Sequence, residues 1–473
     1  MRKTGSEADV GRVVLQIALP FEDEARDTAC PAEGDAAQTS SAATPAGEGS
    51  PRRRKWYSLY DKVMSRENLW SAWEKVKGNK GAPGCDGQTV KQFARHAPEY
   101  LDVLHEQLKA KTYHPRPVMR VEIPKPGGGK RPLGIPTVRD RIVQQAMLQV
   151  LQPIFEEKFS NSSHGFRPGR GCATALRIVD RAVKHGYEWV VDADIEKFFD
   201  MVDHEVLLGE VHEEVTDGSV LRLIGMFLES GVLMDGGDLE PTEIGTPQGG
   251  PLSPLLGNIC LHRLDQAMKD NGFGLVRYAD DFVIFTKDRQ RADEALELAK
   301  STLEDLKLHL HPEKTRIAVI DEGFAFLGFC YYRDPKGRLQ KVVRHKSFQR
   351  FRDQVRERTP RHAGQRHPKV KSCTVERLKK NKRVQEMVGR LNDYLRGWHW
   401  YFKGVKTTWR TPFRAFDQFV RRRLRSAISG RYAKGRWQSI LSNDRLREIG
   451  LISLCDLQAA YEQGALSSPP GSG

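Results

Sequence analysis

Two short acidic clusters stand out because of the residues around them. EWVVDADI (188–195) reads as a buried strand carrying carboxylates towards one end. LVRYADDFVIF (275–285) reads as two apolar arms around an acidic centre, the pattern of a hairpin. Acids placed near a core are costly unless something compensates their charge, and a divalent cation is the natural compensator. Asp194, Asp280 and Asp281 can converge if strand and hairpin are neighbours in one sheet. Hard oxygen ligands of this kind suit Mg²⁺, which keeps several waters and bridges to substrate phosphates. Two such ions about 3.5–4 Å apart can activate an attacking hydroxyl and stabilise the leaving oxygen of an in-line displacement. An isolated Asp-Asp pair in an arbitrary sequence is usually a solvated turn, so the flanking apolar context carries the reading.

The elements that must position these acids are legible as periodicity. Aromatic and aliphatic residues recur at helical spacing in WYSLYDKVMSRENLWSAWEKV, and NKGAPGCDG (79–87) then marks turns. A second helix carries Leu101, Leu104 and Leu108. MRVEIPKPGGGKRPLGIP predicts a strand, a Gly-rich basic turn and another strand. Thr137 followed by Asp140 predicts the cap of a long apolar helix from Val138 to about Phe159. After the hairpin, Ala292, Ala295, Leu296, Ala299, Leu303 and Leu306 share one helix face, and RIAVI and FAFLGFCYY read as strands. The expected class is α+β, not a regular doubly wound sheet.

Charge is distributed unevenly. The 473 residues hold 76 Lys and Arg against 61 Asp and Glu, a formal net charge of +15. Between Lys341 and Ile440 there are 29 basic and 6 acidic residues, so the remaining chain is slightly acidic. One segment carries the whole positive excess, which points to a polyanionic partner such as nucleic acid. A charge run is ordinarily a solvated face, but this one has a single sign and is interleaved with aromatics, as in LRGWHWYFKGVKTTWR. Val384, Met387, Val388, Leu391, Leu395 and Trp398 form one helical stripe; Phe413, Phe416, Val420, Leu424 and Ile428 form another. Arg414, Arg421, Arg422, Arg423 and Arg425 are expected largely off that second stripe. The Trp residues at 398, 400, 409 and 437 are read as core or stacking surfaces.

The seven cysteines form no C-x-x-C pair, and the histidines lack metal-ligand spacing, so neither a zinc ribbon nor a disulfide framework is encoded. The apolar runs fall short of the roughly 18–20 residues that a membrane span requires. A reducing compartment such as the cytoplasm fits this cysteine usage, and neither membrane contact nor a dedicated protein partner is expected. Residues 1–50, rich in Ala, Gly, Ser, Thr, Pro and acids, read as a disordered leader.

Four blocks in order resemble the reverse transcriptases of group II introns: GKRPLGIPTVRDRIVQQAMLQVLQPIFEEKFSNSSHGFRPGRGCATAL, DIEKFFD, TPQGGPLSPLLGNICLHRLD, and YADD lying 86 residues after the acid of the second block. The basic segment is similar to that family's thumb and maturase-specific domain, notably at Tyr394, Arg396, Gly397, Trp398, Tyr401 and Phe402. The resemblance spans about residues 55–455. It implies a right-hand-like polymerase: an N-terminal extension and start of the fingers over 51–118, fingers and palm over 119–335, a helical basic thumb/maturase domain over 336–458, and a flexible tail over 459–473.

The same resemblance implies roles. Asp194 and Asp280 look like the principal metal ligands, with Asp281 adjacent; Asp192 and Asp200 support the strand or cap its exit. Two Mg²⁺ ions are implied, for which Mn²⁺ could substitute. Phe199 resembles the bulky gate beneath the sugar, whose ring would clash with a ribose 2′-hydroxyl; ordinary core packing is the competing reading for Phe198 and Phe199, and one of the two is expected to pack. Lys125, Lys130 and Arg131 flank the Gly-rich turn and could grip the incoming triphosphate. Gln248 and Gly249 would lie under the templating pair or incoming base. Lys314 resembles a late palm lysine that could help protonate pyrophosphate, with a surface salt bridge as the alternative. His164 and Arg167 are expected to build a structural turn near the template. Arg396, Trp398, Arg414, Arg421, Arg422, Arg423 and Arg425 are the candidate RNA contacts.

The function implied is RNA-directed DNA synthesis on intron RNA for mobility, with binding of that RNA as a maturase to assist its splicing. The implied partners are group II intron RNA, an RNA template with a DNA primer, target DNA and dNTPs. No zinc-bearing endonuclease pattern is present, so second-strand cleavage by this polypeptide is not expected. Two alternatives stand beside this reading: a maturase without polymerase activity, and a reverse transcriptase of a retron, diversity-generating or defence system.

Overall fold

The computed structural model describes residues 56, 58–124, 130–234, 236–246, 249–360, 374–405, 413–429 and 440–465. The expected leader, Lys125 and Gln248 lie outside the described residues, as do the side chains of Lys130 and Arg131. The chain divides into two compact units, one formed by residues up to Tyr187 with Val191–Ile317, the other by Glu188–Val190 with Ala318 onward.

In the first unit, Thr137 caps the helix Val138–Glu156, its hydroxyl accepting from the Asp140 amide at 3.2 Å. The helix buries Val138, Ile142, Val143, Ala146, Met147 and Leu151, each burial contributing about 1.5–3 kcal/mol for the larger side chains. Its end falls three residues before the expected Phe159. Strands β1 (Val118–Pro124) and β2 (Lys130–Ile135) pair antiparallel from Met119↔Ile135 to Pro124↔Lys130. Two short strands, β4 (Val232–Leu233) and β5 (Leu239–Glu240), extend this sheet in the order β2-β1-β4-β5. β1 and β4 run parallel.

A second sheet holds the acids. Its strands are β3 (Trp189–Asp194), β6 (Gly274–Tyr278), β7 (Asp281–Thr286) and β8 (Arg316–Val319), in the order β6-β7-β3-β8. β6 and β7 form an antiparallel hairpin from Gly274↔Phe285 to Tyr278↔Asp281. Leu275, Val276, Phe282, Val283, Ile284 and Phe285 are all buried, which explains why the arms read as continuous apolar runs instead of alternating ones. The helix Arg289–Asp305 packs its Ala292, Ala295, Ala299 and Leu303 face inward.

The second unit contains a three-stranded antiparallel sheet of β9 (Phe324–Phe326), β10 (Phe329–Arg333) and β11 (Leu339–Val343), with β10 in the middle. Its helices include His345–Arg358, Lys382–Phe402, Phe413–Ser429 and Leu454–Glu462. Both predicted stripes are buried, and they meet in an aromatic cluster: Trp398 lies 4.5 Å from Phe416, 4.8 Å from Phe351 and 4.7 Å from Phe402, centroid to centroid. Asp417 is buried because it caps the helix Leu454–Glu462, accepting from the amides of Leu454 (2.8 Å) and Cys455 (3.1 Å) and from the Ser453 hydroxyl (2.7 Å). That helix carries regular structure past residue 458, beyond the expected start of a flexible tail. Among the described residues, no helix is long and apolar enough to cross a membrane.

Candidate active site

Asp194 is the last residue of β3 and is half-buried. Its carbonyl accepts from the His311 amide at 2.8 Å, and the Glu196 amide donates to the His309 carbonyl at 2.9 Å, so the chain around 309–311 runs beside the strand exit. A tight turn follows, with the amides of Lys314 and Thr315 both donating to the His311 carbonyl. This turn brings the Lys314 ammonium to 2.5 Å from Asp194 Oδ2.

Asp280 occupies the two-residue turn between β6 and β7, after Ala279, and Asp281 opens β7. Ala279 has φ +57°, a left-handed conformation that costs a non-glycine residue. The turn is buttressed by the loop 162–165. The Arg277 amide donates to the Ser162 carbonyl (2.8 Å), and the His164 amide donates to the Arg277 carbonyl (2.9 Å). Gly165 sits so close that a Cβ there would come 2.5 Å from the Ala279 nitrogen. Since β3 and β7 are adjacent in one sheet, the strand of Asp194 and the hairpin of Asp280 and Asp281 are neighbours.

His164 and Arg167 are structural, as the crowding of glycine and proline around them implied. Arg167 is buried and donates to the Glu156 carboxylate and to the carbonyls of Ser160 (2.6 Å) and Ser163 (2.8 Å). Burial, reinforced by the neighbouring Arg170, Arg167, Arg277 and Arg177 cations, lowers the His164 imidazole to about 4, so it is neutral at pH 7.

Phe198 is buried while Phe199 is half-buried, so one ring is fully packed and the other keeps part of its surface open. A Cβ on Gly257 would meet both rings, at 3.1 and 3.4 Å. The Phe199 carbonyl accepts from Thr246 at 2.7 Å and that of Val202 from Gly245 at 2.8 Å, which ties the start of the TPQGG segment to the Phe199 turn. At the far end of that segment, Gly249 has φ +125°, and a Cβ there would fall 2.4 Å from the Gly134 carbonyl of β2. Glycine is required there on both counts. The backbones of Lys130 and Arg131 open β2 opposite Pro124 and Ile123.

The basic candidates separate into two groups. Arg396, Arg414 and Arg422 are exposed. Arg425 is buried, contrary to the expectation of an RNA contact: its guanidinium donates to the Leu441 carbonyl (2.7 Å) and Asn443 Oδ1 (2.8 Å). Trp398 is likewise a core residue, enclosed by the aromatic cluster, and offers no stacking face. Arg423 donates to the Thr359 carbonyl at 2.8 Å, and Arg421 lies 4.0 Å from Asp417. Helical spacing placed these side chains around the axis but could not show which loops return to cover them.

Sequence reasoning missed one group. Arg277 and Asp265 form a wholly buried ion pair, bidentate at 2.7 and 2.6 Å, to which Asn258 adds an acceptor at 3.1 Å. The available signal was an arginine inside an otherwise apolar strand arm.

Among the described residues, no three His, Cys, Asp or Glu side chains are assembled as a metal cage. The donor chemistry nonetheless suits a hard cation: Asp194 presents a carboxylate at a strand exit and already holds the Lys314 ammonium.

The reverse transcriptase (RNA-dependent DNA polymerase) family matches residues 123–331, and the group II intron, maturase-specific domain matches residues 369–444. Protein YkfC of Escherichia coli (strain K12) is 36% identical over 307 residues, which cover 56% of this chain and 80% of YkfC. The group II intron-encoded protein LtrA of Lactococcus lactis subsp. cremoris is 40% identical over 211 residues, covering 44% of this chain and 34% of LtrA. The chain belongs to the group II intron reverse transcriptase/maturase family. The chain thus spans most of YkfC but about a third of LtrA. A chain of the solved structure "Partial Cas6-RT-Cas1--Cas2 complex" aligns at 25% identity with a TM-score of 0.35, covering 53% of this chain and 43% of that chain. The reverse transcriptase match contains Asp194, Phe199, Gly249, Asp280, Asp281 and Lys314, and the maturase match contains Arg396 through Arg425. In this family the first domain is an RNA-directed DNA polymerase, of a kind that uses divalent metal ions, and the second implies intron RNA binding.

Proposed function

We propose that this chain extends a DNA primer on an intron RNA template, and that its maturase domain binds the same intron RNA and assists its splicing. The observation that carries this is the placement of Asp194 and the Asp280 hairpin on adjacent strands within the segment that matches the reverse transcriptase family. Asp194, Asp280 and Asp281 would hold Mg²⁺, which when bound activates the primer hydroxyl and neutralises phosphate charge. The primer 3′-oxygen forms the new bond to the α-phosphorus of the dNTP as pyrophosphate leaves.

The chain's own residues supply selection and positioning. The half-buried Phe199 ring selects deoxyribose by occupying the space of a 2′-hydroxyl. Lys314, freed from Asp194 once other cations satisfy that carboxylate, donates a proton to the departing pyrophosphate. Gly249 lets the backbone lie flat against β2, where the base pair would rest, and Lys125, Lys130 and Arg131 engage the triphosphate. Residues 119–335 act as fingers and palm, and 336–458 as thumb and RNA-binding surface, with Arg396, Arg414 and Arg422 contacting phosphates. Target DNA would serve as the primer source.

Primer extension on an RNA template, with and without Mg²⁺, tests the assignment. Wild type should extend only with the metal, and Asp280→Ala should not extend at all. Extension by Asp280→Ala at the wild-type rate would remove Asp280 from the metal-binding role, and no extension by wild type with Mg²⁺ would remove the polymerase assignment.

A further inference from the structure

The hairpin turn that carries Asp280 is held from beneath by a buried polar network whose geometry goes beyond core packing. Arg277 Nη1 donates to the Ala279 carbonyl at 3.0 Å, the peptide oxygen immediately before Asp280. The same nitrogen donates to Asn258 Oδ1 at 3.1 Å, and Nε and Nη2 bind Asp265 at 2.7 and 2.6 Å. Asn258 in turn donates from Nδ2 to the Gly165 carbonyl at 2.8 Å, and Gly165 lies so near Ala279 that a Cβ there would come 2.5 Å from its nitrogen.

A buried ion pair is poor evidence for stability, because apolar residues of similar volume often serve as well. Its strength lies in fixing geometry. The planar guanidinium spends its fork on Asp265 and its remaining arm on Asn258 and the turn, an arrangement that an ammonium cannot reproduce. The turn needs such a restraint, since Ala279 is held at φ +57° without the freedom of glycine.

We infer that Arg277, oriented by Asp265 and Asn258, is a positioning residue that sets the Asp280 carboxylate for cation binding and catalysis. This rests on the assignment of Asp280 as a metal ligand. Arg277 touches neither substrate nor metal; it acts through the Ala279 peptide.

The experiment compares Arg277→Lys and Asn258→Ala with wild type and Asp280→Ala, in the full chain. Arg277→Lys keeps the charge against Asp265 but loses the fork; Asn258→Ala leaves the ion pair and removes the link to Gly165. Five quantities are measured: kcat, the KM for dNTP, RNA affinity, Mn²⁺ binding by the electron paramagnetic resonance of the free ion, and the unfolding midpoint. Misplacing the carboxylate by a fraction of an ångström should lower kcat by about 10–100-fold and weaken Mn²⁺ binding, while dNTP KM and RNA affinity stay at wild-type values. Wild-type kcat and Mn²⁺ affinity in both variants would overturn the inference, as would a loss of activity that merely tracks the unfolded fraction. If Arg277→Lys does not fold, Asn258→Ala decides alone. An inactive Asp280→Ala beside unaffected network variants sinks the positioning role only; an active Asp280→Ala sinks the assignment of Asp280 as a metal ligand, and an inactive wild type sinks the polymerase assignment itself.

Discussion

The Lys314 ammonium lies 2.5 Å from Asp194 Oδ2, so the carboxylate at the exit of β3 already carries a cation supplied by the chain itself. Both side chains are substantially solvent-accessible, and such pairs contribute about 0–1 kcal/mol to stability. Lys314→Ala should therefore leave the unfolding midpoint nearly unchanged. It should still lower the polymerisation rate, by about 10²-fold if the ammonium serves as general acid. Single-turnover nucleotide incorporation, set beside a thermal melt, separates the two. An unchanged rate would return Lys314 to the status of a surface ion pair.

Phe198 and Phe199 are adjacent, yet only Phe198 is packed away. Phe199→Ala should raise incorporation of ribonucleotides relative to deoxyribonucleotides by about 10–100-fold, the range in which a pocket distinguishes a hydroxyl by shape. Competitive incorporation of rCTP and dCTP measures this. Phe198→Ala should instead destabilise the fold by about 3–5 kcal/mol.

Exposure divides the arginines of the maturase domain. Neutralising the exposed Arg414 and Arg422 should weaken RNA binding and lower the slope of log K against log salt by roughly 0.7–0.9 for each phosphate left without its cation. Arg425→Ala should leave that slope alone and cost about 1–3 kcal/mol of stability, because it strands the Leu441 carbonyl and the Asn443 side chain. Filter binding across a salt series, paired with urea unfolding, distinguishes the two classes.

His164 titrates at about 4 in the folded chain because burial and surrounding cations disfavour its charged form, against an ordinary value of 6.5. Between those values the unfolded chain binds the extra proton. The neutral His164 thus contributes fully to stability above about pH 6.5; that contribution is lost as pH falls towards 4, with no further change below. Unfolding of wild type and His164→Gln at pH 7 and pH 4.5 should show a smaller loss in the variant, and equal losses would contradict the assignment.

Much of the architecture was legible because it rests on local rules. The Thr137 cap, the two apolar arms around YADD, and the helical stripes ending at Trp398 and Ile428 are set by side-chain periodicity and capping chemistry, which act over a few residues. The acids of the site were visible for the same reason, as costly charges set in apolar segments. Tertiary structure alone decided which of these residues face each other. That Lys314 reaches Asp194 across 120 positions, that Arg277 turns inward to Asp265, and that Arg425 is covered by Leu441 and Asn443 all depend on long-range chain return. A buried cation is tolerated only where a partner from another segment satisfies it, and periodicity within one segment carries no record of that partner.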